Sequence, residues 1–152
     1  MVTRFTAAAI ALVTLLPPTL LGAQDTDGIR RAIAAYNAAL NAGDANRVMA
    51  LCAADAVIML PDTPPLEGPT AIRAYFEQNV FGLSTYDYTF APVEIRVFDG
   101  WGFVRADITG TYTVKATGKV ISVNRRGILL MARAGTGPWK IARYVVHRNG
   151  PE

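Results

Sequence analysis

The chain has 152 residues, of which 51% are hydrophobic, and its 15 Lys and Arg exceed its 12 Asp and Glu by three charges. This length supports one domain with a real core and is too short for two comfortable ones. A single cysteine, Cys52, excludes an internal disulfide, and a single histidine, His147, excludes zinc sites built on two or three histidines. Neither a metal ion nor a cofactor is expected.

The first 23 residues are predicted to be a secretory signal peptide. Arg4 gives a cationic start, residues 5–16 form an uncharged and mostly apolar run, and small residues precede Gln24. This order of charged, apolar and small-residue regions is typical of a leader that is cleaved on export. The alternative is an uncleaved membrane anchor, for which the apolar run is short. We therefore expect a periplasmic or secreted protein consisting of residues 24–152.

Charge is unevenly distributed along the predicted mature chain. Residues 24–99 carry five Lys and Arg against ten Asp and Glu, whereas residues 100–152 carry nine against two. The basic residues are spaced singly along predicted strands and form no run. This favours an acidic helical half packed on a basic sheet half over a nucleic-acid partner. Neither a nucleic acid nor, after cleavage of the leader, a membrane is expected as a partner.

Three helices are predicted before the sheet. The first has Asp25 or Thr26 as its N-cap and ends near Gly43, Asp44 caps a short second helix, and Pro69 opens the third. Each helix has an apolar face at helical spacing. These faces consist of Ile29, Ile33, Tyr36 and Leu40, then Val48, Leu51 and Cys52, and then Ile72, Tyr75, Phe76 and Val80.

One short strand and four long strands complete the prediction. The short strand, residues 56–60, lies between the second and third helices and runs into a proline-rich loop. The long strands are predicted at residues 85–98, 101–115, 120–133 and 139–147. Pro92 inside the first of them requires an edge position or a bulge. The expected fold is α+β, a cone in which three N-terminal helices pack on a strongly curved, mainly antiparallel sheet that encloses an apolar pocket.

Several short motifs along the chain carry a family resemblance. Residues 36–44 (YNAALNAGD), 54–57 (ADAV) and 139–143 (WKIAR) occur in an order and spacing similar to those of the nuclear transport factor 2-like superfamily. The nearest branch is the SnoaL-like and ketosteroid-isomerase-like proteins, in particular the group named domain of unknown function 4440. The resemblance covers residues 25–151 and implies the cone-shaped fold. It implies no single activity, because this fold hosts both enzymes and binding domains.

The resemblance also assigns site positions. Tyr36 matches the helix tyrosine that donates to an oxyanion in ketosteroid isomerases. The isomerase base, an Asp just before a proline, corresponds to Leu60, and the second oxyanion donor falls near Arg125 and Arg126. An apolar side chain cannot abstract a proton, so the resemblance implies a pocket without the usual isomerase base.

A catalytic set is nevertheless predicted from Tyr36, Asp107 and Arg126. Asp107 is a general-base candidate if its strand parity faces the cone, where desolvation would raise its pKa, and it is an exposed partner of Arg105 if that parity faces outwards. Arg125 and Arg126 are adjacent on one strand, so only one of them enters the pocket.

Six further residues are predicted to line the pocket: Leu60, Asp62, Tyr75, Phe76, Tyr144 and His147. Asp62 is either a lid group or an ordinary loop charge. His147, the only histidine of the chain, either enters the pocket or lies exposed in the tail.

Two functions follow from these residues, and the sequence leaves open whether the protein is an enzyme. The first is an exported domain that binds a small apolar or carbonyl ligand. The alternative is an acid–base enzyme of the isomerase, cyclase or dehydratase type that acts on an apolar carbonyl compound. A sheet face with apolar residues on both parities also predicts a homodimer.

Overall fold

The computed structural model of the protein describes residues 18–150, with side chains from residue 22 onward. The helices are α1 (Pro18–Asn41), α2 (Ala45–Ala50) and α3 (Gly68–Tyr75), and α3 continues into a π-helical segment, Phe76–Phe81. The strands are β1 (Cys52–Met59), β2 (Leu66–Glu67), β3 (Ser84–Phe98), β4 (Trp101–Val114), β5 (Val120–Ala132) and β6 (Lys140–Arg148). The charged start and apolar run of the predicted leader lie outside the described residues.

The strands form one curved open sheet in the order β2-β1-β6-β5-β4-β3. Strands β3 to β6 pair antiparallel in sequence order, whereas β1 pairs parallel with β6. The predicted α+β class and the cone of helices on a mainly antiparallel sheet are confirmed. The two-residue strand β2 and the parallel pairing of β1 were not predicted, because neither leaves a periodic pattern in so short a segment.

Helix α1 starts earlier than predicted. It begins at Pro18, a residue type suited to a first helical turn, and continues through Asp25 and Thr26 rather than starting at either. The Asp25 carboxylate binds the Arg133 guanidinium just after β5, with N–O distances of 2.5 and 2.8 Å. Asp25 is therefore an interior helical residue with a tertiary partner and not an N-cap.

Helix α2 is shorter than predicted at its C-terminal end. Its cap is confirmed, since the Asp44 carboxylate accepts a hydrogen bond of 3.0 Å from the backbone N–H of Arg47. Cys52, expected on the inner face of this helix, instead opens β1, where it is a buried free thiol. Burial raises the pKa of the Cys52 thiol to about 11, so it stays protonated at neutral pH.

Pro92 fulfils both conditions that proline imposes on a strand. β3 is the last strand of the sheet, so its outer backbone groups have no strand neighbour. The pairing of β3 with β4 also shifts register between Pro92 and Glu94. The missing proline N–H therefore disrupts no central ladder.

Strand alternation divides the sheet into a buried inner face and an outer face. On β4, Val104, Ala106 and Ile108 are buried, so even-numbered residues point toward α1. On β5 the odd-numbered residues are the buried ones, including Leu129 and Met131. This parity decides which polar side chains of the sheet reach the interior.

Candidate functional site

A cavity of about 330 Å³ lies between α1, the α3 and π-helical segment, and the inner face of β3 to β6. Its walls include Leu40 and Leu60, and Val80, Phe90 and Ile108 extend the apolar surface. The chain has six tyrosines, and all of them line this cavity. They are Tyr36, Tyr75, Tyr86, Tyr88, Tyr112 and Tyr144.

The deep end of the cavity is an aromatic cluster around Tyr36. The Tyr36 ring meets Phe90 and Tyr144 edge to face, with centroid distances of 5.7 and 5.9 Å. Burial raises the pKa of both tyrosines above the ordinary value, and the Tyr144 phenol and the Cys52 thiol add to the effect for Tyr36. Both phenols are therefore neutral hydrogen-bond donors at physiological pH and do not act as phenolate bases.

A second tyrosine cluster forms one wall of the cavity. Tyr86 packs against Tyr88 at 5.1 Å and stacks on Tyr112 at 6.1 Å between ring centroids. The Tyr86 hydroxyl donates a 3.3 Å hydrogen bond to the carbonyl of Val80. These contacts fix flat aromatic surfaces in place, as suits an apolar ring in the cavity.

Two arginines contribute the only charged side chains among the described residues that line the cavity. Arg125 on β5 and Arg148 on β6 are directly opposite each other in the antiparallel register. A nitrogen of Arg148 lies 2.5 Å from the Asp62 carboxylate, which reaches it from the loop after β1. The site is thus aromatic, rich in hydroxyls and cationic.

Most of the residues predicted for the pocket lie where they were expected. Tyr36, Leu60, Tyr75, Phe76 and Tyr144 all line the cavity. Leu60, at the position that the resemblance gives to the isomerase base, contributes an apolar wall.

The placement expected for Asp107 and Arg126 inside the cavity is wrong. Both lie on the outer face of the sheet, 3.8 Å apart, with 47% and 65% of their side chains exposed. Asp107 alternates with the buried Ala106 and Ile108, so the pleat directs it away from α1. Of the two adjacent arginines, Arg125 and not Arg126 enters the cavity.

Two residues predicted for the lining lie outside it. His147 is exposed on the outer face of β6, in register with Arg126. It alternates with Val146 and Arg148, which face inward and line the cavity. Asp62 also lies outside the lining, and its side chain is 77% exposed while it binds Arg148.

The sequence interpretation missed several lining residues on the sheet and near it: Asn79, Ser84, Tyr86, Tyr88, Tyr112 and Arg148. A signal was present on β3, where Ser84, Tyr86, Tyr88 and Phe90 alternate with exposed or half-buried residues. On β5 the pattern was ambiguous, because apolar residues such as Leu130 and Leu129 occupy both parities.

Gly127 packs directly against the Tyr144 ring, which leaves no space for a side chain at this position. A Cβ atom at this position would lie 2.9 Å from Cε2 of Tyr144 and 3.3 Å from Cδ1 of Ile108. Glycine therefore permits the ring to lie against the inner face of β5, two residues along the strand from Arg125.

Among residues 18–150, no group of three or more His, Cys, Asp and Glu side chains is arranged to hold a metal ion. None of the helices in that part of the chain is long and apolar enough to cross a membrane.

Several solved structures share this fold. A ketosteroid isomerase-like protein from Erwinia carotovora atroseptica is 30% identical, with a TM-score of 0.78 over 84% of this chain and 98% of that one. A candidate aromatic ring hydroxylase from Novosphingobium aromaticivorans is 25% identical, with a TM-score of 0.76 over 85% and 92%. A hexachlorocyclohexane dehydrochlorinase of type 2 shares the fold at 12% identity and a TM-score of 0.74, over 87% and 90%. No protein of curated function matches the chain.

The family model of the SnoaL-like domain matches residues 33–144, which span α1 to β6 and most of the cavity lining. The finer resemblance to the domain of unknown function 4440 group stays a prediction. The chain belongs to the SnoaL-like family, within the nuclear transport factor 2-like fold.

Proposed function

We propose that the protein is a binding domain that holds a small, largely apolar molecule in the tyrosine-lined cavity and does not abstract protons from it. One observation carries this proposal: the described lining contains six tyrosines and two arginines but no Asp, Glu, His, Lys or Cys.

Proton abstraction requires a group that accepts a proton near neutral pH. Arginine is always protonated, and the buried phenols of Tyr36 and Tyr144 have raised pKa values. Leu60 stands where the resemblance would place a carboxylate base. The cavity therefore supplies hydrogen-bond donors and apolar walls without supplying a base, which disfavours the acid–base enzyme.

The names of two related proteins support an apolar ring compound as the ligand. One is called ketosteroid isomerase-like and the other a candidate aromatic ring hydroxylase. The edge-to-face and stacked tyrosines of this cavity offer flat surfaces of the kind that such rings contact.

A β,γ-unsaturated cyclic ketone tests the proposal, because an isomerase with an oxyanion donor and a base converts it to the conjugated form. We expect line broadening of the ketone protons by NMR, which reports binding, without isomerisation above the buffer rate. The matched control is Tyr36→Phe, which removes the candidate oxyanion donor and keeps the ring. Isomerisation by the wild type that falls about 10- to 1000-fold in this variant would favour the enzyme instead.

Export is a further part of the proposal. The expected mature chain begins at Gln24, after the small residues that end the predicted leader. Mass spectrometry of the protein from the periplasm or the medium tests this, and an intact Met1 on that protein would contradict it.

Assembly as a homodimer is also proposed, through the outer face of the sheet. Ile128 and Val145 are cross-strand partners there and are 45% and 38% exposed, and Leu130 beside them is 38% exposed. Covering such a surface is favourable. Sedimentation should give twice the mature mass, and Ile128→Glu should shift the protein to monomer. A wild-type monomer at micromolar concentration would refute the dimer.

A further inference from the structure

One row of side chains crosses the inner face of the sheet at the cavity. Phe90, Ile108, Arg125 and Arg148 are successive cross-strand partners on β3, β4, β5 and β6, and all four line the cavity. The row is apolar at one end and carries two neighbouring guanidinium groups at the other. Both guanidinium groups therefore lie on the cavity side of the sheet and concentrate positive charge at that end of the row.

The chain itself places a carboxylate at this cationic end. Asp62 binds Arg148 at 2.5 Å, although Asp62 does not line the cavity and its side chain is 77% exposed. Its backbone has a φ of 55°, in the left-handed region, within the loop of residues 60–65 at the cavity wall. Thr63 and Tyr75 share a 3.2 Å hydrogen bond that attaches the same loop to α3. An exposed carboxylate on a surface loop is one that another carboxylate can replace at modest cost.

We propose that the cavity recognises an apolar ring compound bearing a carboxylate, which binds between Arg125 and Arg148 and takes the place of Asp62 on Arg148. This inference rests on the proposed function, which left the charge of the ligand open. Arginine presents a planar fork that matches the two oxygens of a carboxylate, and the aromatic walls contact the ring.

The electrostatics around Arg125 agree with this assignment. Burial raises the pKa of Tyr144 and of Tyr86, and the positive charge of Arg125 opposes that rise for both. The guanidinium is therefore close enough to act on both phenols. A carboxylate held at Arg125 would find neutral hydroxyl donors beside it.

The test compares 2-naphthoate with 2-naphthamide, which share a ring system and differ in charge. Calorimetric titration of the full folded protein should show naphthoate binding about 10- to 100-fold more tightly, the range for a hydrogen bond to a charged group. Arg125→Gln should remove that preference. Asp62→Asn should tighten naphthoate about 3- to 10-fold, with the amide affinity unchanged, because the competing carboxylate is gone.

If Arg125→Gln fails to fold, Asp62→Asn still tests the inference, because Asp62 lies on an exposed loop where the substitution should not disturb folding. Equal affinity for the two probes would overturn the carboxylate assignment and leave the proposed binding function standing. An Asp62→Asn variant that binds naphthoate no more tightly than the wild type would overturn the replacement of Asp62. A wild type that binds neither probe would contradict both proposals.

Discussion

Asn41, the last residue of α1, holds that helix to the edge strand of the cavity. Its side-chain amide donates a 2.9 Å hydrogen bond to the carbonyl of Tyr88, and its amide oxygen accepts a 2.9 Å bond from the Tyr88 N–H. These bonds satisfy both backbone groups of Tyr88, on the side of β3 that has no strand neighbour. The side chain thus stands in for a missing strand, and it positions a residue that lines the cavity.

Replacing Asn41 with alanine should destabilise the protein by about 1–2 kcal/mol. Two hydrogen bonds each contribute about 0.5–1.5 kcal/mol, and the partial exposure of the pair keeps the sum toward the lower end. The melting temperature should fall by about 3–8 °C for a domain of this size. Asn46→Ala is the matched control, because Asn46 only accepts an exposed bond from Arg73, and it should cost less than about 0.5 kcal/mol.

Urea unfolding measures the stability difference, and amide hydrogen exchange locates it. In Asn41→Ala, the Tyr88 amide should exchange about 5- to 30-fold faster, while amides in the centre of β5 change only with global stability. Equal stability of Asn41→Ala and wild type, or an unchanged exchange rate at Tyr88, would refute this account of how α1 is attached.

Three other predictions concern the interior. Gly127→Ala should cost about 1–3 kcal/mol and weaken binding of cavity probes, because the added methyl displaces the Tyr144 ring. Cys52, with a thiol pKa of about 11, should react with iodoacetamide at pH 8 at least about 100-fold more slowly in native protein than in urea, since two pKa units lower the thiolate fraction by that factor. Arg133→Gln should cost about 1.5–3 kcal/mol in urea unfolding, because the pair with Asp25 is largely buried and charge-assisted.

The two substitutions have controls in the same chain. Gly150→Ala introduces a methyl group with no atom within 4 Å and should be neutral, so an equal effect of the two glycine substitutions would contradict the packing argument. Rapid modification of native Cys52 would contradict its burial. Arg105→Gln removes a pair with Glu94 whose side chains are 47% and 35% exposed, and it should change stability little.

Much of the fold was predictable because apolar residues recur at regular spacing along its helices and strands. The stripe of Ile29, Ile33, Tyr36 and Leu40 identified the buried face of α1, and all four are buried. The proline at position 92 correctly required an edge or a bulge. Periodicity did not predict the tertiary ion pairs. Asp25 is a residue type that commonly caps helices, yet its carboxylate binds Arg133, 108 residues away in sequence.

The site was harder to predict because it depends on which parity of each strand faces inward. β5 carries large apolar residues on both faces, so the choice between Arg125 and Arg126 had no basis in the pattern alone. On β4 the alternation was clean, but the pattern alone did not show that the parity of Asp107 faces away from the cone. The pairing of Asp107 with Arg126 on the outer face explains that acid without a catalytic role.

Tyrosine NMR tests the central claim most directly, because all six tyrosines line the proposed binding cavity while neither tryptophan does. Protein labelled on tyrosine rings and tryptophan indoles is titrated with 2-naphthoate and with the cyclic ketone. The account predicts saturable shifts of tyrosine ring signals, largest for Tyr36 and Tyr144, with the indole signals of Trp101 and Trp139 unmoved. Shifts confined to the tryptophans, or tyrosine signals that do not move with any probe, would contradict it.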